Sequence, residues 1–123
     1  MTVSDSDIAF VHDSNALVAL GARGADLRVV VIDNGGGGIF SFLPQARSLS
    51  GERFEQLFGT PHGTDIEGIA SAHGIPALTA ESVEELTASV TAPGPSVTRV
   101  VTNRDENVRL HDLLHEAVAS VQR

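Results

Sequence analysis

The segment DLRVVVIDNGGGGIFSFLP, residues 26–44, constrains the fold more than any other part of the chain. Its run LRVVVI, residues 27–32, is rich in β-branched residues and nearly uninterrupted, which is typical of a strand covered on both faces. Asp33 and Asn34 follow at once, and four glycines at 35–38 come next. Parallel sheets collect ligands beyond the carboxyl ends of their strands, so this junction is the first candidate site.

The glycine run itself allows two interpretations. Glycine lets a ligand approach the backbone closely, and successive N–H groups of such a loop can bind phosphate oxygens. Mg²⁺ is typically held by one or two carboxylates or amides together with substrate phosphate, which suits an Asp-Asn pair beside such a loop. A glycine run is more often a flexible linker than a phosphate site, although a linker does not explain the buried strand before this run or the apolar IFSFLP after it. The run lacks the spacing of the dinucleotide fingerprint and the Gly-Lys-Ser/Thr of the Walker A motif, so the pattern alone leaves both interpretations open.

Strand-like and helix-like segments alternate along the whole chain. We predict strands over IAFV (8–11), LRVVVI (27–32), IPAL (75–78) and SVTRVVT (96–102). We predict helices over HDSNALVALGARG (12–24), SGERFEQLFG (50–59), TDIEGIASAHG (64–74), SVEELTASV (82–90) and RDENVRLHDLLHEAVASV (104–121). Asp13 or Ser14 is the expected N-cap of the first helix, and Ser82 with Glu85 forms a capping box. This order predicts one α/β domain over residues 1–123, a three-layer fold with a mainly parallel sheet and helices on both faces.

Charge and composition exclude several classes of partner. Sixteen acidic against eight basic residues give a net charge of −8, with no basic stripe. Nucleic acid and anionic membrane surfaces need clustered Lys and Arg, so neither is an expected partner. No apolar run approaches the roughly 20 residues of a membrane span, and MTVSDSDIAF shows no signal-peptide pattern. The chain has no cysteine, which excludes disulfides and Cys-zinc sites, and we expect a cytoplasmic protein.

Two positions and four segments carry a resemblance to a known family. Asn34 follows Asp7 by 27 residues and ends a predicted strand. The segments are SDIAFVHDSNAL, DNGGGGIFSFLPQA, FEQLFGTPHGTDIEGIASAHGI and VTNRDENVRLHDLLHEAV, in that order. The chain resembles the C-terminal, diphosphate-binding domain of thiamine diphosphate (ThDP) enzymes. Within that superfamily it most resembles the 2-succinyl-5-enolpyruvyl-6-hydroxy-3-cyclohexene-1-carboxylate synthases of menaquinone biosynthesis.

The resemblance implies a role for each matching position. The Asp7 carboxylate, the Asn34 side chain and the Gly36 carbonyl would be Mg²⁺ ligands, and ThDP and Mg²⁺ would be the cofactors. The cofactor-binding residues implied are Asp7, Ile8, Asn34, Gly35, Gly36, Gly37, Gly38 and Ile39. Ile39, Phe40 and Leu43 would form an apolar wall near the thiazolium, with Phe40 and Leu43 lining the substrate pocket. No catalytic residue is implied in this chain, since the glutamate that activates the cofactor belongs to another domain of the family.

Departures from the family pattern set the expectations for the chain by itself. Ser6 stands where the family has a glycine before the metal aspartate, and Gly35 stands where a polar residue is usual. The pyrimidine-binding and central domains are absent, and nothing flanks the first predicted strand. We therefore expect a ThDP-binding domain truncated at its N-terminus, inactive alone. With the remaining domains and a second copy, the resemblance implies 2-oxoglutarate decarboxylation and addition to isochorismate.

Three histidines have no assigned chemistry. His111 and His115 are four residues apart on the last predicted helix and could clamp a metal, but a solvated polar face is the simpler interpretation. His62 in GTPHG lies in a predicted turn. Two other functions stay open: the domain of another ThDP enzyme, such as an acetolactate synthase or 2-oxoacid decarboxylase, and a catalytically silent, truncated binding module.

Overall fold

A computed structural model describes residues 1–121 of the 123-residue chain, so the final two residues of the predicted domain lie outside the described part. Its strands are β1 (Thr2–Ser6), β2 (Arg28–Asp33), β3 (Ala77–Thr79) and β4 (Ser96–Val101). Its helices are α1 (Asp7–His12), α2 (Gln45–Ser48), α3 (Gly51–Phe54), α4 (Ile66–Ala72), α5 (Val83–Thr91) and α6 (Arg104–Val121). Short 3₁₀ turns cover Ser14–Leu17 and Gly38–Phe42, and a π-helical turn covers Glu55–Gly59.

The four strands form one sheet in the order β1-β2-β4-β3, and every neighbouring pair is parallel. The predicted α/β class is therefore confirmed. β2 lies in the centre, and its sequence RVVVID is buried at five of its six positions. A strand covered on both faces needs this nearly continuous apolar pattern, which explains why β2 could be predicted from sequence.

The core lies on one face of the sheet, where Val29, Val31 and Val97 pack together. Alternating side chains put these three residues on the same face, because Val29 of β2 is the register partner of Val97 of β4. The residues that cover them come from α1, α4 and the connecting loops: Phe10, Leu17, Leu20, Ile66, Ala70 and Ile75. The opposite face carries α5, which is joined to the sheet by a hydrogen bond from the Thr98 hydroxyl to Ser89 Oγ at 2.9 Å.

The prediction for the beginning of the chain is wrong in its boundaries. IAFV belongs to helix α1, and the first strand is the preceding TVSDS. Ser6 caps α1 by accepting a hydrogen bond from the Ala9 N–H at 3.3 Å, which begins a helix where a strand was expected. Phe10 then packs into the core from this helix. β1 is an edge strand with largely exposed, polar side chains, so its sequence lacks the apolar pattern of β2.

The predicted helix over residues 12–24 is also wrong, since only Ser14–Leu17 forms a 3₁₀ turn. Ala19 has a φ of 58°, which no right-handed helix permits. Asp13 makes no side-chain cap and instead bonds the ring of His12.

The remaining helices lie close to their predicted positions. Ser82 caps α5 through the Glu85 N–H at 3.1 Å, as the capping box predicts, although the Glu85 carboxylate accepts from Glu81 rather than from Ser82. Among residues 1–121, no helix is long and apolar enough to cross a membrane.

Candidate functional site

The site lies at the carboxyl ends of β1 and β2. Ser6 is paired with Ile32 in the sheet, so Asp7 begins α1 directly across from Asp33. The sequence placed Asp7 before its predicted first strand, whereas the structure puts it immediately after β1. This shift brings Asp7 to the same edge as Asn34, because the carboxyl ends of parallel strands meet at one edge of a sheet.

Asp7 is completely buried, and each of its oxygens accepts hydrogen bonds. Oδ1 accepts from the Ile8 N–H at 2.9 Å, and Oδ2 accepts from the Gly36 N–H at 2.8 Å. His62 Nε2 lies 3.2 Å from the same Oδ2. The carboxylate therefore ties the first strand end to the glycine loop and to the loop that contains His62.

The glycine loop, residues 35–38, is fixed by contacts with the turn at residues 58–60. The Gly37 N–H donates to the Gly59 carbonyl at 2.7 Å. A Cβ on Gly36 would lie 2.1 Å from the Gly59 oxygen, and one on Gly37 would lie 2.3 Å from the Phe58 oxygen. Gly36 also has a φ of 134°, a conformation that residues other than glycine rarely adopt. These glycines are needed for close backbone packing, and the linker interpretation does not describe them.

Every N–H of the glycine loop has an acceptor within the chain. The acceptors are Asp33 Oδ1 for Gly35, Asp7 Oδ2 for Gly36, the Gly59 oxygen for Gly37 and the Gly36 oxygen for Gly38. A phosphate cradle built from these N–H groups would have to share or replace those hydrogen bonds.

Asn34 is the polar group of the site that lacks a partner. Its Oδ1 is buried and has no hydrogen-bond partner among residues 1–121. Its side chain packs against Gly38, where a Cβ would lie 2.5 Å from Nδ2. An unpaired buried carboxamide oxygen is costly, and it is a typical ligand for a hard cation such as Mg²⁺.

Asp33, which the sequence pattern offered together with Asn34 as a possible cation ligand, anchors the loop in the structure. Its Oδ1 accepts from the Gly35 N–H at 2.9 Å, and its Oδ2 accepts from Arg99 Nε at 2.6 Å. Burial alone raises the pKa of Asp33, but the hydrogen bonds from Arg99 and Gly35 outweigh it, and the pKa lies below the ordinary 3.8. The sequence contains a signal for the contact between Asp33 and the Gly35 N–H, since Asp followed two residues later by Gly is typical of an Asx-turn.

Two sets of donors could hold a metal ion at this edge. Asp7, Asp33 and His62 each offer an atom within 4.8 Å of the others. Each Asp33 oxygen already accepts one hydrogen bond, however, and the Arg99 guanidinium beside them disfavours a further cation. The predicted set of Asp7, Asn34 and the Gly36 carbonyl is all oxygen and contains the unpaired Oδ1, so it fits Mg²⁺ better.

A groove of about 560 Å³ runs from this edge between α1 and the glycine loop. It is lined by Ser6, Ile8, His12, Asn34, Ile39 and Phe40, among others. Of the predicted apolar wall, Ile39 is 76% and Phe40 40% exposed, and Leu43, at 38%, is not among the residues that line the groove.

The two histidines of α6 lie away from this edge. His111 Nδ1 is 2.9 Å from the Asn107 oxygen, and its ring packs edge-on against Phe42. Within the described residues, neither His111 nor His115 belongs to a group of three metal-ligating side chains.

Comparisons with known proteins show which family the sequence matches. Residues 2–100 match the family described as thiamine pyrophosphate enzyme, C-terminal TPP binding domain. The 2-succinyl-5-enolpyruvyl-6-hydroxy-3-cyclohexene-1-carboxylate synthases of Bacillus cytotoxicus and Geobacillus kaustophilus are each 41% identical, over 85% and 92% of this chain. The chain spans only 18% and 20% of those relatives' lengths.

Solved structures share the fold. Benzoylformate decarboxylase from Polynucleobacter necessarius superimposes with a TM-score of 0.65 at 22% identity, over 84% of this chain and 19% of that chain. The ThDP-dependent 4-hydroxybenzoylformate decarboxylase of Rhodococcus jostii RHA1 gives a TM-score of 0.64 at 19% identity, over 83% of this chain and 19% of that chain.

Proposed function

This chain belongs to the thiamine pyrophosphate enzyme family, as a C-terminal TPP-binding domain, and from that membership we propose that it holds the cofactor's diphosphate through Mg²⁺. The Asp7 carboxylate and the Asn34 carboxamide are the proposed side-chain ligands. The Gly36 carbonyl, which already accepts from the Gly38 N–H, supplies a third oxygen. Such a shell is completed by diphosphate oxygens, as is usual for Mg²⁺.

The buried, unpaired Oδ1 of Asn34 carries this proposal. Asp7, Asp33 and all four N–H groups of the glycine loop have hydrogen-bond partners within the chain. The Asn34 carboxamide oxygen, by contrast, is buried at the site without a partner among the described residues. A cation at this position would satisfy it and remove the cost of leaving it unpaired.

These hydrogen bonds favour binding of the diphosphate through the metal over binding through the N–H groups of the glycine loop. The sequence predicts that Ile8 and the backbone of Gly35–Gly38 approach the diphosphate. We propose that this approach is close packing without hydrogen bonds, since each of these N–H groups already has an acceptor within the chain. The glycines then serve to fit the loop against Gly59, and Asp7 and Asn34 would hold the metal that binds the diphosphate.

We assign the groove beside α1 to the rest of the cofactor. Ile39 and Phe40 line this groove and offer apolar surface for the thiazolium and the substrate, and their exposure supports a role in covering a ligand. Leu43, which lies outside that lining, is proposed as a further contact of the substrate. ThDP supplies the decarboxylation and carbanion chemistry when bound. The residues of this chain bind it, orient it and exclude water.

For the whole enzyme we propose synthesis of 2-succinyl-5-enolpyruvyl-6-hydroxy-3-cyclohexene-1-carboxylate, the product in the names of the synthase relatives, and the 41% identity with those synthases supports it. The family resemblance implies that this reaction is decarboxylation of 2-oxoglutarate followed by addition to isochorismate. The chain spans about a fifth of their length, so the cofactor-activating glutamate and the other substrate contacts would come from further domains.

Those domains and a second copy are the proposed partners. The exposed apolar side chains support this, since Leu110, Leu113, Leu114 and Val118 of α6 are each more than half exposed. An apolar row of this length on a solvated helix is typical of an interface.

The test is an NMR titration of the glycine-loop amides, which detects weak binding. We expect Gly35 to Gly38 to shift when ThDP and Mg²⁺ are added together and to shift little with either alone. Asn34→Ala should remove the response, because it deletes the unpaired ligand. Asn107→Ala, at an exposed position on α6, is the matched control and should respond like the parent.

Amides that stay unshifted at millimolar ThDP and Mg²⁺ would refute binding by this chain and favour the silent module. A domain of an acetolactate synthase or 2-oxoacid decarboxylase would bind the cofactor equally well. Product analysis of the intact enzyme with 2-oxoglutarate and isochorismate separates that alternative from the synthase.

A further inference from the structure

His62 contacts the site through both of its ring nitrogens. The Thr64 N–H donates to Nδ1 at 3.0 Å, so Nδ1 holds a lone pair and the neutral ring carries its proton on Nε2. Nε2 lies 3.2 Å from Asp7 Oδ2. The tautomer fixed by the Thr64 contact therefore makes His62 a donor to the buried carboxylate.

The loop that carries His62 is held at both of its ends. Gly59, before it, accepts the Gly37 N–H at 2.7 Å, and Thr60 takes the left-handed conformation with a φ of 40°. Gly63, after it, has a φ of 58°, which turns the chain back so that Thr64 reaches the ring. The side chain is 19% exposed and faces a carboxylate with no exposure, so the contact is largely shielded from water.

The contact with His62 determines which oxygen of Asp7 keeps a free acceptor position. A carboxylate has about four acceptor positions, two on each oxygen. Oδ2 accepts from the Gly36 N–H and from His62, which uses both of its positions. Oδ1 accepts only from the Ile8 N–H among these donors, and it keeps one position free.

The geometry points to His62 as a positioning residue that holds Asp7 Oδ2 and leaves Oδ1 as the oxygen available to the cation. This inference rests on the proposed function, because it deepens the role of Asp7 there. His62 itself is not a ligand, since its Nε2 carries a proton and its Nδ1 is occupied by the Thr64 N–H. Mutation of a ligand-orienting partner of this kind typically costs about 10- to 100-fold in metal affinity.

The test begins with the metal-free 123-residue chain, so that it does not depend on cofactor binding. Hydrogen exchange of the Gly36 amide reports on Asp7 Oδ2, which accepts from both Gly36 and His62. His62→Gln places an amide donor where Nε2 lies and should exchange like the parent. His62→Asn keeps an acceptor for the Thr64 N–H without that donor, and its Gly36 amide should exchange roughly tenfold faster.

An internal control separates positioning from general loss of stability. The Val97 N–H donates to the Pro76 oxygen far from the site, and its exchange should be the same in all three proteins. Equal acceleration at Val97 and Gly36 would overturn the inference, as would unchanged Gly36 exchange in His62→Asn. Nitrogen-15 spectra of the parent should show the Nε2–H tautomer of His62, and the Nδ1–H tautomer would contradict it.

Addition of Mg²⁺ and ThDP gives the second readout. His62→Asn should weaken binding about 10- to 100-fold, and His62→Gln should restore most of the loss. If the parent chain does not bind, the proposed function fails for this chain while the exchange result still decides whether His62 positions Asp7. Tighter binding of Mn²⁺ in His62→Asn than in the parent would refute the positioning role.

Discussion

Two regions differ in how far their side chains are buried within this chain: the edge of the sheet that carries the glycine loop, and helix α6. At the edge, buried Asp7 and Asp33 join segments far apart in sequence by accepting hydrogen bonds from Gly36 and Arg99. Over α6 no residue is buried, although the helix has 18 residues and a row of leucines. The edge is completed by contacts within this chain, whereas α6 presents an apolar row that this chain leaves exposed. Mutations should therefore be costly to the folding of this chain at the edge and nearly silent on α6.

Within the two regions compared, the largest effect on stability is expected for Gly36→Ala. The new Cβ would meet the Gly59 oxygen at 2.1 Å, in a backbone conformation with a φ of 134°. We expect the free energy of unfolding to fall by about 3 kcal/mol, from overpacking and backbone strain.

Gly35→Ala is the matched control for Gly36→Ala. Gly35 has a positive φ of 74° but nothing within 4 Å of an added Cβ, so only the backbone penalty applies. We expect a loss of about 1 to 2 kcal/mol. Urea unfolding of both variants measures the difference, and equal losses would show that the loop does not pack against Gly59 as described.

The next effect is a pH dependence at Asp33. Its pKa is lower in the folded chain than the ordinary 3.8, because hydrogen bonds from Arg99 and Gly35 outweigh the effect of burial. The stabilisation is therefore fully present above that ordinary value and is lost as the pH falls through the folded pKa. Arg99→Met should reduce stability at neutral pH by about 1.5 kcal/mol and flatten the acid slope below about pH 5.

Asp26 provides the contrast on the exposed surface. Its pKa is also lowered, first by the hydrogen bond from Arg28 and then by the Gly94 N–H, but the Asp26 side chain is largely exposed. Added salt should weaken the contribution of Asp26 to the free energy of unfolding more than that of Asp33.

Unfolding curves of Arg99→Met that keep the parent's acid slope would contradict the role given to Asp33.

The smallest effect is expected on α6. Leu114 is 52% exposed, so Leu114→Gln should change the free energy of unfolding of this chain by less than about 0.5 kcal/mol. Ile66→Ala, at a core position 1% exposed, should cost about 2 to 5 kcal/mol in the same experiment. A loss above about 1 kcal/mol for Leu114→Gln would mean that α6 already packs within this chain.

The two regions also differ in how far sequence could predict them. β2 and its junction could be predicted, because a strand buried on both faces needs a continuous apolar run and the Asp-Asn-Gly sequence marks its end. β1 could not, since an edge strand with exposed side chains carries no apolar alternation, and the apolar IAFV serves helix α1 instead. The sequence gives α6 a clear helical pattern, but it does not say what covers the leucines.

The contact between His62 and Asp7 shows a different limit. The two residues are 55 positions apart, and their approach depends on left-handed turns at Thr60 and Gly63. Local patterns predict the turn from its glycines, but they do not predict which distant side chain the turn will reach. The Asp33–Arg99 pair, 66 positions apart, is hidden from sequence for the same reason.

The central claim is that the Asp7 and Asn34 side chains share one divalent cation. The most direct measurement is anomalous diffraction from crystals of this chain grown with Mn²⁺ and ThDP, in which Mn²⁺ reports the position of Mg²⁺. We predict one anomalous peak at the edge of the sheet, in contact with an Asp7 carboxylate oxygen and Asn34 Oδ1. A peak bound to Asp33 or to His62 Nε2, with Asn34 Oδ1 still unpaired, would contradict the account.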